Sequence, residues 1–332
     1  MPDLTLLYVV VFFALAFDYI NGFHDTANAI ATSVSTRALE PQYAVVLAAI
    51  LNFAGALYST GVAKTIGGDL VKSASMVNQQ VIISALFGAI VWNLITWWFG
   101  IPSSSSHALV GGVLGAVTVG AGFEAINVFG VEKIILSLVV SPLLAMAGGY
   151  VIMIAMMWIF RRYEPGKLNT GFKKMQLLSA SMMSFSHGSN DAQKAMGIIT
   201  LALLSSGQIP TLEVPLWVKF SCATAMACGT AVGGWKIIKT MGGKIFKLEP
   251  ITGFAADLNS SLVIFAATNL HLPVSTTHVV SGSIMGVGSS KRLTAVRWGV
   301  AQQMLFAWVL TIPFSAITSG LMYKFLSLFM HI

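Results

Sequence analysis

Two short strings of hydroxyl residues interrupt an otherwise apolar chain, Pro102-Ser103-Ser104-Ser105-Ser106-His107 and Pro273-Val274-Ser275-Thr276-Thr277-His278. Their surroundings, IPSSSSHALVGGVLG and LPVSTTHVVSGSIMG, repeat Pro102, Ser104, His107, Gly111 and Gly115 as Pro273, Ser275, His278, Gly282 and Gly286 at a displacement of 171 positions. A helix that starts just after such a run presents free backbone N–H groups and the positive end of its dipole, which suits an anion. Ser104, Ser105, Ser106, Ser275, Thr276 and Thr277 are therefore expected to surround a tetrahedral oxyanion. Neutral donors without an arginine hold such an anion loosely enough to release it. The competing reading is plain helix capping. His107 and His278 are expected to stiffen the two turns by hydrogen bonding, and Gly111/Gly115 and Gly282/Gly286 to allow close helix contact.

A second duplicated element carries carboxylates. In DYINGFHDTAN, residues 18–28, the residues Asp18, Asn21, Asp25 and Asn28 fall on one helical face. The theme returns in SFSHGSNDAQKAMG, residues 184–197, with Gly22, Asp25 and Ala29 recurring as Gly188, Asp191 and Ala195 at a displacement of 166. Charge at the centre of a bilayer costs ~2.5–3.5 kcal/mol on insertion scales, so an intramembrane Asp implies function. Asp25 with His24 and Asn28, and Asp191 with Asn190 and Lys194, suit a hard cation such as Na⁺ or a titrating proton. Asn21 supports them, and Gly22 and Gly188 are expected to let their helices unwind and free carbonyls as ligands. His24 and His187 are candidate metal ligands. His187 and Asp191 stand at i, i+4, but their helix offers no third protein ligand. Asp18, Asp257 and Asn259 carry a weaker version of the same signal.

These elements sit in a 332-residue chain that is 56% hydrophobic and 9% charged, with a mean hydropathy of +0.79. That composition belongs to a protein embedded in a lipid bilayer. About ten apolar runs follow one another: roughly 4–20, 43–63, 76–99, 107–123, 134–160, 177–204, 216–238, 254–270, 274–288 and 295–328. Met1-Pro2-Asp3 has no basic leader, so the first run is expected to be retained. Cys222 and Cys228, six apart on one helix, point apart and read as packing residues. The net charge of +7 resides in membrane-flanking loops and does not point to nucleic acid.

A third echo, Lys64-Thr65-Ile66-Gly67-Gly68 against Lys239-Thr240-Met241-Gly242-Gly243, completes an internal repeat. The expected fold is all-α, with two repeats, 1–160 and 176–332, joined by a basic cytoplasmic linker at 161–175. Five hydrophobic segments per repeat is an odd number, so the second copy starts from the opposite side and the repeats are inverted. Placing Arg161, Arg162, Lys167, Lys173 and Lys174 in the cytoplasm puts 13 basic residues inside and leaves Lys64, Lys72, Lys133 and Lys324 outside. Both termini are then extracytoplasmic. The hydroxyl runs lie at the turns of two helix pairs, 76–123 and 254–288, expected to be re-entrant hairpins whose tips meet at the centre, since non-helical backbone at depth must line a cavity.

NGFHDTANAIATSVSTRAL, SHGSNDAQKAMG, PSSSSH and PVSTTH together resemble the inorganic phosphate transporter (PiT) family, in particular its bacterial low-affinity branch. The resemblance covers essentially the whole chain. It implies a plasma-membrane symporter of inorganic phosphate, driven by a coupling cation through alternating access. Sodium-coupled members typically carry Gly-Ala-Asn-Asp-Val-Ala-Asn-Ala in both halves. Here Phe23-His24-Asp25 replaces Ala-Asn-Asp in the first copy, and Gln193-Lys194 replaces the closing Ala-Asn in the second. An ammonium at Lys194 would occupy the place of a sodium ion, as in proton-coupled relatives thought to carry a neutral metal-phosphate complex with Mg²⁺ or another divalent ion. H⁺ is therefore the expected coupling ion, with Asp25, His24 or Asp191 titrating. A sulfate permease of the same fold and a divalent-metal carrier stay open, as does a homodimer. An intramembrane hydrolase using Ser104 or Ser105 with His107 is disfavoured, because the Ser/His string is duplicated and no G-x-S-x-G elbow is present.

Overall fold

The computed structural model describes residues 4–329. Among them are twelve α-helices, which fall into two series of six. The first is α1 (Leu4–Ser35), α2 (Pro41–Ala56), α3 (Gly61–Asp69), α4 (Gln79–Phe99), α5 (Ser105–Gly120) and α6 (Val128–Ile159). The second is α7 (Pro165–Ser205), α8 (Leu216–Val232), α9 (Trp235–Lys239, continued by a π turn over Thr240–Lys244), α10 (Pro250–Asn269), α11 (Thr276–Lys291) and α12 (Trp298–Phe329). Five helices are long and apolar enough to cross a membrane, and six if α2 and α3, bent by 68° at their junction, count as one broken span. Each expected apolar run has its helix or broken pair. α6 and α12, both 32 residues and ~48 Å long, exceed the ~30 Å hydrocarbon thickness and each carries an internal proline, Pro142 and Pro313. The segment 161–175 is less of a linker than expected, because Pro165 at the start of a 41-residue helix makes most of it the first turns of α7.

Polarity is arranged inside out. Leu143, Val151, Phe306, Val309 and Leu321 stand more than half exposed on α6 and α12, while Asp18, Asn21, Asp25, Asn190, Asp191 and Lys194 are buried. Water is absent from a bilayer, so those polar groups gain most by facing one another.

The two series interlock rather than sit side by side. A Cβ on Gly111 or Gly115 of α5 would run into the backbone of Ile312 or Ala316 on α12; one on Gly282 or Gly286 of α11 would meet Pro142 or Met146 on α6. Likewise Gly22 of α1 lies against Met226 and Gly229 of α8, and Gly188 of α7 against Asn52 of α2. The contacts are reciprocal: α5 touches α12 as α11 touches α6. The equivalent helices α1 and α7 run antiparallel: Thr36 meets Gln176 at 2.5 Å and Asn21 meets Asp191 at 3.4 Å. Antiparallel equivalents are what an inverted repeat requires.

The unwinding expected at Gly22 and Gly188 does not occur. α1 and α7 pass through both residues as continuous helix, and the two glycines serve instead as points of close backbone approach. The breaks in regular helix lie elsewhere, between α2 and α3 and at the two hydroxyl turns.

Candidate functional site

The hydroxyl runs make the turns between α4 and α5 and between α10 and α11. Each turn ends in a capping residue, since Ser104 accepts from His107 N and Ser275 accepts from His278 N, both at 3.2 Å. These caps are each worth about 1 kcal/mol. Both serines therefore cap helices, their oxygens accepting from the backbone. Ser104 is further held by His107 Nδ1 at 2.8 Å. Ser106 points across to the other turn, donating to Val274 O at 2.8 Å.

Ser105, Thr276 and Thr277 turn to the carboxylates. Ser105 donates to Asp25 Oδ2 at 3.2 Å, Thr277 to Asp25 Oδ1 at 3.3 Å and Thr276 to Asp191 Oδ2 at 3.2 Å. Asn28 donates to both threonine hydroxyls, at 3.2 and 2.9 Å. One helix of each series thus brings an aspartate to a cradle whose hydroxyls come from both turns. Every one of these side chains is buried.

The carboxylates have cationic or imidazole partners of their own. Lys194 donates to Asp191 Oδ1 at 2.7 Å, one helical turn away and fully buried. Asn21 and His187 approach Asp191 Oδ2 at 3.4 and 3.5 Å. Nδ1 of His24 lies 2.6 Å from Asp25 Oδ1, and its Nε2 lies 3.1 Å from Thr96 Oγ1, which accepts from Ser103 in turn. Asn190 does not reach a carboxylate. It braces the second turn, donating to Thr268 and Leu272 O and accepting from Val274 N.

The third metal ligand that α7 lacks is supplied by α1. Ligand atoms of Asp25, His187 and Asp191 lie within 4.8 Å of one another. Two carboxylates and an imidazole suit a divalent cation or a desolvated sodium ion. His24 stands outside that cluster, bound to Thr96. His107 makes the expected hydrogen bond within its turn, to Ser104; its ring tilts against that of His278 with centroids 4.6 Å apart, and His278 stacks on Trp308 at 3.7 Å. Trp308 Nε1 donates to Pro102 O, tying α12 to the first turn.

Several site residues escaped the sequence reading. Asn52 Oδ1 accepts from His187 Nδ1 at 3.0 Å, and its amide donates to Thr230; Thr96 and Thr268 brace the two turns in equivalent fashion. Each is a lone polar residue in an apolar run, the kind of signal that marks Asp25, but none belongs to a repeated string. Asp18 lies fully buried beside Cys222 and within electrostatic reach of Asp191 and Lys194, and Asn259 ties α10 to Ala145 O and Ser283. Both cysteines are free, Cys222 buried and Cys228 exposed.

Known proteins are similar to this chain in sequence and in fold. Residues 21–319 match the model of the phosphate transporter family. A probable low-affinity inorganic phosphate transporter of Bacillus subtilis is 52% identical over 98% of both chains. One from Rhizobium meliloti is 47% identical over 96% of both. Among solved structures, one titled the sodium-dependent phosphate transporter superposes with a TM-score of 0.90 at 27% identity, over 98% of this chain and 100% of that one. With its apolar helices and a family match over residues 21–319, the chain is a multi-pass membrane protein of the phosphate transporter family.

Proposed function

We propose that this protein is a secondary transporter that carries inorganic phosphate across the plasma membrane by alternating access, coupled to H⁺. The observation that carries the proposal is the buried Lys194–Asp191 pair, 2.7 Å long, inside the cradle. A fixed ammonium sits on the carboxylate that a coupling sodium ion would otherwise neutralise. The solved relative is sodium-dependent by its title, and Lys194 is where this chain departs from the sodium-coupled pattern.

Coupling follows from the cradle's electrostatics. Ser105, Thr276 and Thr277 donate to Asp25 and Asp191, so a phosphate arriving at those hydroxyls meets two carboxylates at hydrogen-bond range. Like charges in a low dielectric repel strongly. The anion can bind only when the carboxylate negative charge is offset, by protons or by a divalent cation held by Asp25, His187 and Asp191. Phosphate and cation therefore enter together, which is symport.

The repeats 1–160 and 176–332 act as the two halves, with α1 and α7 as the antiparallel pair between which the site lies. With the basic residues near 161–174, 236–247 and 291–297 on the cytoplasmic side, both termini face outward.

The test is uptake of labelled phosphate by proteoliposomes under separate H⁺ and Na⁺ gradients. Uptake is expected to follow the inward proton gradient and to collapse with a protonophore. Uptake that needs Na⁺ and ignores the protonophore overturns the coupling, and full competition by sulfate overturns the substrate. Ser105→Ala and Thr276→Ala are each expected to raise the phosphate Kd about tenfold, the loss of one hydrogen bond to a charged group. Loss in one variant alone, with both folded, contradicts a cradle shared between the repeats.

A further inference from the structure

One buried carboxylate lies outside the cradle yet directly on a line leading from it. Asp257 of α10 accepts from Thr32 Oγ1 of α1 at 2.6 Å and from Ser179 Oγ of α7 at 3.2 Å. It thereby joins three elements at one point. Along α1 the polar groups continue from the cradle: Asn28 at the threonines, Thr32 at Asp257, and Thr36 at Gln176. Gln176 Nε2, buried, has no partner, and it presses against Gly253 on α10 one turn before Asp257. A file of polar groups, spaced one turn apart, thus runs along α1 from Asp25 to Thr36 at its C-terminal end, where Gln176 of α7 meets it.

The internal repeat makes the opposite exit a control. The displacement of 171 takes Asp257 to Leu86 on α4, and the displacement of 166 relates Thr32 to Ile198 and Ser179 to Phe13. Leu86 and Ile198 belong to one apolar core, with Phe13 packed against it. Where one exit is closed by a carboxylate between two hydroxyls, the other is closed by Leu, Ile and Phe. A dry apolar contact resists water, whereas a carboxylate that leaves its hydroxyl partners exchanges them for water at little net cost.

α10 is also the arm of the second turn. It runs from Pro250 to Asn269 and leads directly into Ser275, Thr276 and Thr277. Displacement of α10 at Asp257 opens the file at its outer end, one helix length from the threonines.

We propose that the clasp of Asp257 with Thr32 and Ser179 is the gate over the exit beside the C-terminal end of α1, with Leu86, Ile198 and Phe13 closing the opposite exit. Asp257 is then a positioning residue for transport: it does not touch the substrate but holds α10 against α1 and α7 while that exit is shut. This inference rests on the transport reading above.

The test reads the gate without phosphate. Ser261 lies on the same face of α10 one turn beyond Asp257, buried, with its hydroxyl on Asp257 O. Ser261→Cys in a Cys222→Ala, Cys228→Ala background serves as the reporter for a membrane-impermeant thiol reagent applied to purified protein in liposomes. With Asp257 in place, labelling is expected to be slow; with Asp257→Ala it is expected to rise about tenfold, the population shift from losing one clasp of this kind. The phosphate Kd is expected to stay within about threefold, because the cradle is not touched, while the uptake rate falls about tenfold. Thr32→Val with Ser179→Ala removes the clasp from the other side and carries the same expectation if Asp257→Ala does not fold. Unchanged labelling in a folded clasp variant overturns the gate, as does a loss of phosphate binding as large as the loss of uptake. Labelling needs no substrate, so the two failures separate: a protein that neither binds nor carries phosphate overturns the transport reading, while the labelling rates still decide whether the clasp holds that exit shut.

Discussion

Lys194→Ala is expected to abolish proton-coupled phosphate uptake and to destabilise the fold by about 3–5 kcal/mol, the cost of stranding one partner of a buried ion pair. Lys194 Nζ is fully buried, its nearest acceptor is Asp191 Oδ1, and its removal leaves Asp191 with only neutral or longer contacts, Thr276 at 3.2 Å, Asn21 at 3.4 Å and His187 at 3.5 Å, all on Oδ2. Lys194→Asn is the sharper variant. It restores the residue that sodium-coupled relatives carry at this position and opens room beside Asp25, His187 and Asp191, whose ligand atoms already converge. Added Na⁺ is expected to raise the thermal midpoint of Lys194→Asn in detergent and to leave the parent unchanged, since a cation that binds only the folded state stabilises it. In liposomes the Asn variant is expected to gain uptake driven by a sodium gradient and insensitive to protonophore. A Lys194→Asn protein that retains parental proton-driven uptake, with no response to Na⁺ in either measurement, removes the lysine from the coupling mechanism.

Gly188→Val is expected to prevent folding, and Gly188→Ala to weaken it severely. A Cβ at Gly188 would overlap the carbonyl of Asn52 and crowd its Cα at 2.6 Å. The obstacle is helix backbone, which cannot swing aside as a side chain can, so the cost exceeds the ~1–3 kcal/mol of ordinary overpacking. Asn52 also holds His187 Nδ1 at 3.0 Å, so pushing α2 away from α7 displaces a group of the site as well. Gly22 faces Met226 of α8 in the equivalent relation, and Gly22→Val is expected to fail in the same way. The measurement is yield and monodispersity in detergent, followed by thermal unfolding of whatever folds. If Gly188→Ala and Gly22→Ala fold normally and lose only coupling, the glycines act as flexible points and the packing account is wrong.

Residues that occur twice were legible before the structure. The hydroxyl strings, Asp25 and Asp191, and the close-packing glycines of α5 and α11 all announce themselves by repetition, and their placement in one cradle follows once the repeats are inverted. Two kinds of information were missing. Ser104 and Ser275 resemble their neighbours in sequence, and only the start of helix at Ser105 and Thr276 makes them caps whose hydroxyls are already engaged. Gly22 and Gly188 illustrate the other kind. A glycine in an intramembrane helix permits either unwinding or close approach, and the choice depends on α8 and α2, which lie far away in the chain. The metal-ligand set likewise needed both series, since Asp25 arrives from α1 and His187 and Asp191 from α7.

The exchange of partners between the series bears on how the chain is made. The hairpin of α4 and α5 finds its seat on α12, and α11 finds its seat on α6, so the first half has no complete core of its own. At ~5–20 residues per second the ribosome needs roughly 8–30 s to pass from the end of α5 to Thr277. Asp25, Ser105 and Asn28 lack first Asp191 and then Thr276 and Thr277 until those residues are made. The first half must wait as a polar, incompletely bonded intermediate, and its survival in the bilayer depends on whatever shelters it until the second half arrives.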